Sequence, residues 1–173
     1  LYWAAWLRGW GFEIALIDCL DRGHPSLGDA APKSTWSNTG KYRRERFDPQ
    51  PEIPARFGLP FNRHGISPAA FEAELEAFER RFGGPPGAVV VGSRMTYWSH
   101  GVADSIARCR ARWGSAAPIA LGGIYATLLP GHARRHSGAD IVFEGQAFES
   151  FPRWLRERFP ARAVTTHLGM AAG

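Results

Sequence analysis

Two apolar runs in the second half of the chain each stop abruptly in small and polar residues, and a helical pattern then follows. The runs are Val89-Val90-Val91-Gly92-Ser93-Arg94-Met95-Thr96-Tyr97-Trp98 and Leu121-Gly122-Gly123-Ile124-Tyr125-Ala126-Thr127. This pattern is typical of buried parallel strands whose carboxyl ends open onto a ligand. Because glycine has no Cβ, the adjacent pair Gly122-Gly123 lets a ligand lie against the backbone. Together the runs predict a binding domain for a large, flat ligand.

Strand and helix signals alternate through this half of the chain. Strands are predicted at 88–92, 118–121 and 140–143, and helices at about 101–113, 130–136 and 148–159. Such alternation predicts a parallel sheet with right-handed crossovers. The expected fold class is therefore α/β, with a doubly wound, Rossmann-like architecture.

The beginning of the chain predicts a helix and then a strand. A short apolar helix is expected over 1–10, and a strand buried on both faces over 12–18. A helix followed by a strand normally comes after an earlier strand in a βαβ unit. We therefore expect the chain to be a piece of a longer protein, without the first strand of its sheet.

The segment 19–66 predicts a long loop insertion, since it is rich in proline, glycine, asparagine and basic residues. Its centre, 41–47, alternates charged and aromatic residues, which a solvated surface loop explains better than a nucleic-acid patch does. Beyond it, the N-cap signal Ser67-Pro68 predicts a helix with one apolar stripe. The stripe consists of Phe71, Leu75, Phe78 and Phe82.

The composition is that of an ordinary globular domain. Of the 173 residues, 45% are hydrophobic and 21% are charged, which suits one domain with a single core. No apolar run approaches the roughly 20 residues of a membrane span, so no membrane partner is expected. Two cysteines are too few for a disulfide framework, which indicates a cytoplasmic protein.

Several other kinds of site lack their residue spacing. The chain has no Gly-x-Gly-x-x-Gly fingerprint, phosphate-binding loop or Gly-x-Ser-x-Gly elbow. His132 and His136 lie four apart, but without a neighbouring cysteine or carboxylate they are interpreted as a polar helix face. Cys109 lies on an apolar stripe and is expected to be buried and unreactive. The segment 21–24 is explained better by a turn than by a catalytic dyad.

The candidate binding residues follow the predicted strands, because ligands bind beyond the carboxyl ends of parallel strands. Hydroxyl groups, exposed backbone amides and a polar turn after the third strand are expected to converge on one rim. The start of the helix near Gly101 adds a mildly electropositive end that favours a phosphate. The set comprises Ser93, Arg94, Met95, Thr96, Tyr97, Gly122, Gly123, Ile124, Tyr125, Glu144, Gly145 and Gln146.

This ordered set of segments resembles the cobalamin (vitamin B12)-binding domain that precedes the catalytic barrel of cobalamin-dependent radical SAM proteins. The segments that carry the resemblance are 2–8, 12–21, 92–98, 121–127, 132–133, 138–140 and 144–147. The resemblance implies a flavodoxin-like sheet with cobalamin over the strand ends. Its nucleotide tail would pass beside Ser93 and Gly122-Gly123, and Tyr97 and Tyr125 would pack against the edge of the ring.

The resemblance also implies that cofactor binding and catalysis belong to different domains of a longer parent protein. Residues 1–160 would form the cobalamin-binding domain, and 161–173 would begin the linker to a catalytic radical SAM domain. That domain would bind a 4Fe-4S iron–sulfur cluster and S-adenosylmethionine, and would carry out methyl transfer or a related radical reaction. The Cys-x-x-x-Cys-x-x-Cys triad is absent from this chain, so no catalytic residue is expected in it.

Two departures concern the contacts with cobalamin. The Asp-x-His-x-x-Gly motif that supplies a lower axial histidine in many cobalamin domains is absent, so no metal-ligating residue is expected. Gln146 and Phe148 stand where relatives more often have glutamate.

An alternative function of a different class remains open. The chain would then be a degenerate Rossmann-like interaction module without a cofactor. Its basic loop, centred on 41–47, would bind a protein or a nucleic acid.

Overall fold

The computed structural model describes residues 2–30 and 42–161. Two compact units divide the chain, one within Leu1–Leu16 and Pro86–Gly173 and the other within Ile17–Pro85. Lys41 and all but the first residue of the predicted linker 161–173 lie outside the described residues.

The regular elements are numbered here in chain order. The helices are α1 (Tyr2–Gly9), α2 (Glu52–Arg56), α3 (Pro68–Phe82), α4 (Ser99–Trp113), α5 (Ile124–Leu128), α6 (Pro130–His136) and α7 (Ser150–Arg158). The strands are β1 (Arg44–Arg46), β2 (Asn62–His64), β3 (Val89–Ser93), β4 (Ile119–Gly123) and β5 (Ile141–Val142). Short 3-10 helices span Pro25–Ala30 and Thr96–Trp98.

A three-stranded parallel sheet organises the first unit, with β4 between β3 and β5. In its register Val89 lies beside Ile119, and Ala120 lies beside Ile141. Helix α4 connects β3 to β4, while α5 and α6 connect β4 to β5. The predicted α/β class and the parallel sheet are confirmed, and the arrangement is compatible with a Rossmann-like fold.

The central strand β4 is the most deeply buried element of this sheet. Ile119, Ala120 and Leu121 are all buried, as expected for a parallel strand covered on both faces. The predicted apolar stripe of α4 is also buried and includes Cys109, which confirms the interpretation of that thiol as a core residue.

Aromatic side chains cover the face of the sheet to which Ala120 belongs. Ala120 forms a core cluster with Phe143, Phe151 and Leu155, and residues of α1 pack around it. The rings of Trp3 and Phe151 meet edge to face at 4.6 Å between centroids. Helices α1 and α7 are therefore held on this face by ring packing.

The predicted strand over 12–18 is wrong. This segment has no regular secondary structure, and no described strand pairs with it. Phe12 is anchored on Phe159, with ring centroids 5.2 Å apart, but Leu16 is 64% exposed. An apolar run forms a strand only where a neighbouring strand accepts its backbone hydrogen bonds.

The second unit contains more structure than the loop predicted over 19–66. Strands β1 and β2 form an antiparallel pair, and the side-chain amide of Gln50 bonds the backbone of Phe61 in both directions, at 3.0 and 2.8 Å. The loop prediction missed these strands because their charged residues show no apolar alternation. Helix α3 begins as predicted, with the Ser67 hydroxyl accepting from the Ala70 amide at 3.1 Å.

None of the helices among the described residues combines the length and the apolar character needed to cross a bilayer.

Asp140 connects the beginning of β4 to the end of α4. Its Oδ2 accepts a hydrogen bond from the Ile119 amide at 2.6 Å and one from Arg110 at 2.6 Å. Burial by itself raises the pKa of the Asp140 carboxyl, but the bonds from Arg110 and Ile119 outweigh it and lower the pKa below its usual value. The ionised carboxylate therefore stabilises the folded sheet.

Replacing Asp140 by asparagine should weaken the acid sensitivity of the fold. A carboxyl whose pKa is lower in the folded state stabilises that state above its unfolded pKa, about 3.9, and this stabilisation is lost as the pH falls through the folded pKa. Urea unfolding of both proteins between neutral and acidic pH checks this. The difference in free energy of unfolding should be largest near neutrality and should shrink as the medium becomes acidic. A difference that does not change with pH would contradict the assignment.

Candidate functional site

The carboxyl ends of β3, β4 and β5 meet at one edge of the sheet, where a groove of about 300 Å³ opens. Four of the predicted binding residues line this groove, together with two that the sequence-based set did not include. The four are Gly123, Ile124, Gly145 and Gln146, and the two are Thr127 and Leu128.

Two glycines on neighbouring strands leave a strip of backbone without side chains. Gly92 of β3 and Gly122 of β4 are partners in the register, so they lie on the same face of the sheet. Apart from the glycine itself and its two chain neighbours, none of the described residues has an atom within 4 Å of the position that a Cβ would occupy at either glycine. We call this pair the glycine strip. Gly92 was not among the predicted residues, because only the strand register places it beside Gly122.

Gly123 has a different role from its neighbour Gly122. Its φ of 93° lies in the region that favours glycine, and an added Cβ would come within 2.4 Å of the Ser93 carbonyl oxygen. The ends of β3 and β4 can approach each other only because this residue has no side chain. The fold itself therefore requires Gly123, whether or not a ligand is present.

The side chain of Thr127 connects β4 to the turn that follows β5. Its hydroxyl donates to the Gly123 carbonyl oxygen at 2.9 Å and accepts from the Gly145 amide at 2.9 Å. Glu144 in the same turn forms an ion pair with Arg134 of α6. These contacts fix the predicted turn Glu144-Gly145-Gln146 against the rim.

Exposed apolar side chains surround the strand ends. They belong to the segment after β3 and to α5, and they are Met95, Tyr97, Ile124 and Leu128. Tyr97 and Leu128 are 61% and 65% exposed. Clustered exposure of large apolar side chains marks an interaction or ligand surface more often than isolated exposure does.

The polar residues after β3 are less available than the sequence suggested. Ser93 is buried, and its hydroxyl donates to the Met95 carbonyl oxygen at 3.1 Å. Thr96 is half-buried at the start of a 3-10 helix, whereas Arg94 is exposed. Helix α4 begins at Ser99, two residues before the predicted start at Gly101.

Tyr125 lies behind the rim, which corrects the expectation that it packs against a ligand. Its side chain is fully buried, and its hydroxyl lies 2.7 Å from His132 Nδ1. Burial raises the pKa of Tyr125. The pKa of His132 is lowered by burial first and then by repulsion from His136, Arg135 and His100. Tyr125 therefore packs in the core, and its hydroxyl orients the His132 ring.

The histidine pair of α6 has close ring contact, with His132 and His136 centroids 4.5 Å apart. Within residues 2–30 and 42–161, no group of three or more histidine, cysteine or acidic side chains is placed to hold a metal ion.

No protein-family model, curated protein or solved structure matches this chain.

The two adjacent glycines of β4 should respond very differently to alanine. Gly123→Ala combines a disfavoured φ with a backbone clash, so we expect a loss of about 3 kcal/mol in the free energy of unfolding. Gly122→Ala adds a methyl group to open space and should change that free energy by less than about 1 kcal/mol. Denaturant unfolding of the two variants measures this contrast, and equal effects would contradict the separate roles.

Proposed function

We propose that this chain is the cobalamin-binding module of a radical SAM enzyme, built on a flavodoxin-like sheet. The observation that carries the proposal is the glycine strip, which runs into a rim of exposed apolar side chains at the ends of parallel strands. Open α/β sheets bind ligands at this edge.

The shape of cobalamin suits the two parts of the site. Its broad corrin ring has an apolar face, which fits against Met95, Tyr97, Ile124 and Leu128. Its nucleotide tail is long and needs a path without side chains, which Gly92 and Gly122 provide. The exposed Arg94 side chain offers a cation for the phosphate of the tail.

The residues of the polar turn complete the proposed contacts. The exposed Gln146 side chain offers a donor and an acceptor to the amide groups around the ring. Thr127 keeps Gly145 and Gln146 in place without having to contact the ligand. When bound, cobalamin would supply a cobalt centre that carries a methyl group or takes part in a radical reaction.

The strand order supports the flavodoxin-like part of the proposal. In the order 2-1-3-4-5, the last three positions match β3, β4 and β5, and a further strand would lie beside β3. Among the described residues β3 is an edge strand of this sheet, and its Val90 is 47% exposed. The 4Fe-4S cluster and S-adenosylmethionine are assigned in this proposal to a radical SAM domain of the parent protein, in the cytoplasm.

A second candidate function is the interaction module without a cofactor, which the charge of the β1–β2 pair favours. Glu45 forms ion pairs with Arg43 at 2.9 Å and with Arg63 at 3.9 Å. Arg44, Arg46 and His64 are exposed, and the register places Arg44 beside His64. One face of the pair is thus cationic and suits an anionic partner.

Titration with hydroxocobalamin tests the leading proposal. The visible spectrum should change on binding, and the cofactor should co-elute with the protein in gel filtration. Gly122→Leu should weaken binding at least about tenfold, because its side chain fills the strip that the tail needs. The control is Gly84→Leu, since Gly84 also has open space at its Cβ position and belongs to the other unit.

Two results would contradict the cobalamin proposal. One is free elution of cobalamin from folded wild-type protein, and the other is equal binding by the Gly122→Leu variant. Salt-sensitive binding to single-stranded DNA, lost on replacing Arg44 and Arg46 by alanine, would instead support the interaction module.

A further inference from the structure

Three side chains of the second unit form a hydrogen-bonded chain. The Ser26 Oγ lies 2.7 Å from His24 Nδ1, and His24 Nε2 lies 3.2 Å from Glu74 Oε1. A hydroxyl, an imidazole and a carboxylate in this order are the parts of a nucleophilic site.

The backbone of Ser26 determines which nitrogen of the imidazole accepts a proton. The Ser26 amide donates to His24 Nδ1 at 3.2 Å, so Nδ1 is an acceptor in the neutral ring. The ring proton then lies on Nε2, where it is donated to Glu74, and the Ser26 hydroxyl donates to Nδ1. This is the tautomer in which the imidazole can take the serine proton.

The burial of the three groups also suits a reactive serine. The His24 side chain is only 14% exposed, whereas Ser26 is exposed to solvent. Glu74 is held on α3 next to Leu75, which is 2% exposed and anchors that turn of the helix. The base is therefore shielded and positioned, while the hydroxyl stays accessible.

The turn predicted over 21–24 is present in the structure. Asp21 Oδ1 accepts from the Gly23 amide at 2.8 Å. The carboxylate that completes the chain is 50 residues away in the sequence. Only the folded second unit brings it to His24.

We propose that Ser26 is an activated nucleophile that accepts acyl groups from activated carboxylic esters, with His24 as its base and Glu74 as a positioning residue. The Ser26 Oγ attacks the carbonyl carbon of the ester, and its proton passes to His24 Nδ1. The bond to the leaving oxygen breaks, and that oxygen departs with the electron pair and the proton. The products are an acyl ester on Ser26 and a free alcohol.

The remaining step returns the serine to its starting state. Water attacks the acyl ester, gives its proton through His24, and releases the carboxylic acid and the free hydroxyl of Ser26. In both steps the Glu74 carboxylate lies beside the ring while the ring carries a positive charge. The site belongs to Ile17–Pro85, so its test is independent of cobalamin binding.

Acetylation by p-nitrophenyl acetate tests this proposal on the full chain. Peptide mapping by mass spectrometry should find acetyl groups on Ser26 at least about tenfold faster than on Ser115 or Ser150, a general-base contribution of modest size. These two serines are matched controls because, like Ser26, both are exposed to solvent. Acetylation of Ser26 also releases p-nitrophenolate, and the Ser26→Ala variant should lack this rapid release.

Variants of His24 and Glu74 distinguish a role in the acylation of Ser26 from a role in stabilising the turn. His24→Ala should slow acetylation of Ser26 to the rate of the control serines, and added imidazole should restore acetylation of Ser26 in this variant. Glu74→Ala should also slow the acetylation of Ser26. Glu74→Gln should keep most of the wild-type rate, because its side-chain oxygen can still accept a hydrogen bond from His24 Nε2.

The overturning result is acetylation of Ser26 in the wild-type protein at the rate of Ser115 and Ser150. A rate that His24→Ala leaves unchanged, in a variant with the wild-type circular dichroism and melting curve, would also overturn the proposal. In either case the three side chains only stabilise the turn. The wild-type comparison remains decisive even if the His24 variant does not fold.

Discussion

The rim depends on the close approach of the β3 and β4 ends, where Gly123 lies against the backbone of Ser93. A side chain at Gly123 would push these strands apart, because its Cβ would be 2.4 Å from the Ser93 carbonyl oxygen. The same approach puts Gly92 beside Gly122 and starts α5 directly at Ile124. Thr127 of α5 then bonds the turn after β5. The positions of all three strand ends therefore follow from one backbone contact.

This contact changes the interpretation of the glycine pair in the sequence. The sequence alone indicates one purpose for this pair, which is to let a ligand lie close to the backbone. In the structure Gly123 allows the ends of β3 and β4 to pack closely, whereas Gly122 has open space at its Cβ position. A substitution at Gly123 would therefore confuse loss of folding with loss of binding, whereas a substitution at Gly122 tests binding alone.

The sequence predicted well those elements that depend on local pattern. Helix α6 has the predicted bounds 130–136, and the buried stripe of α4 follows its period. The sequence failed where a partner distant in the chain decides the outcome. The segment 12–18 has no paired strand among the described residues, and Gly92 gains its role from the register with β4. Periodicity contains no information on such contacts.

Amide NMR spectra recorded during a titration with hydroxocobalamin test the central claim most directly. The account predicts that the largest changes fall on Gly92, Gly122 and Gly145, which lie on the strip and the turn of the rim. Amides of the other unit, such as those of Gly58 and Gly84, should keep their positions. Binding that leaves Gly92 and Gly122 unchanged, or a folded chain that shows no change at all, would contradict the account.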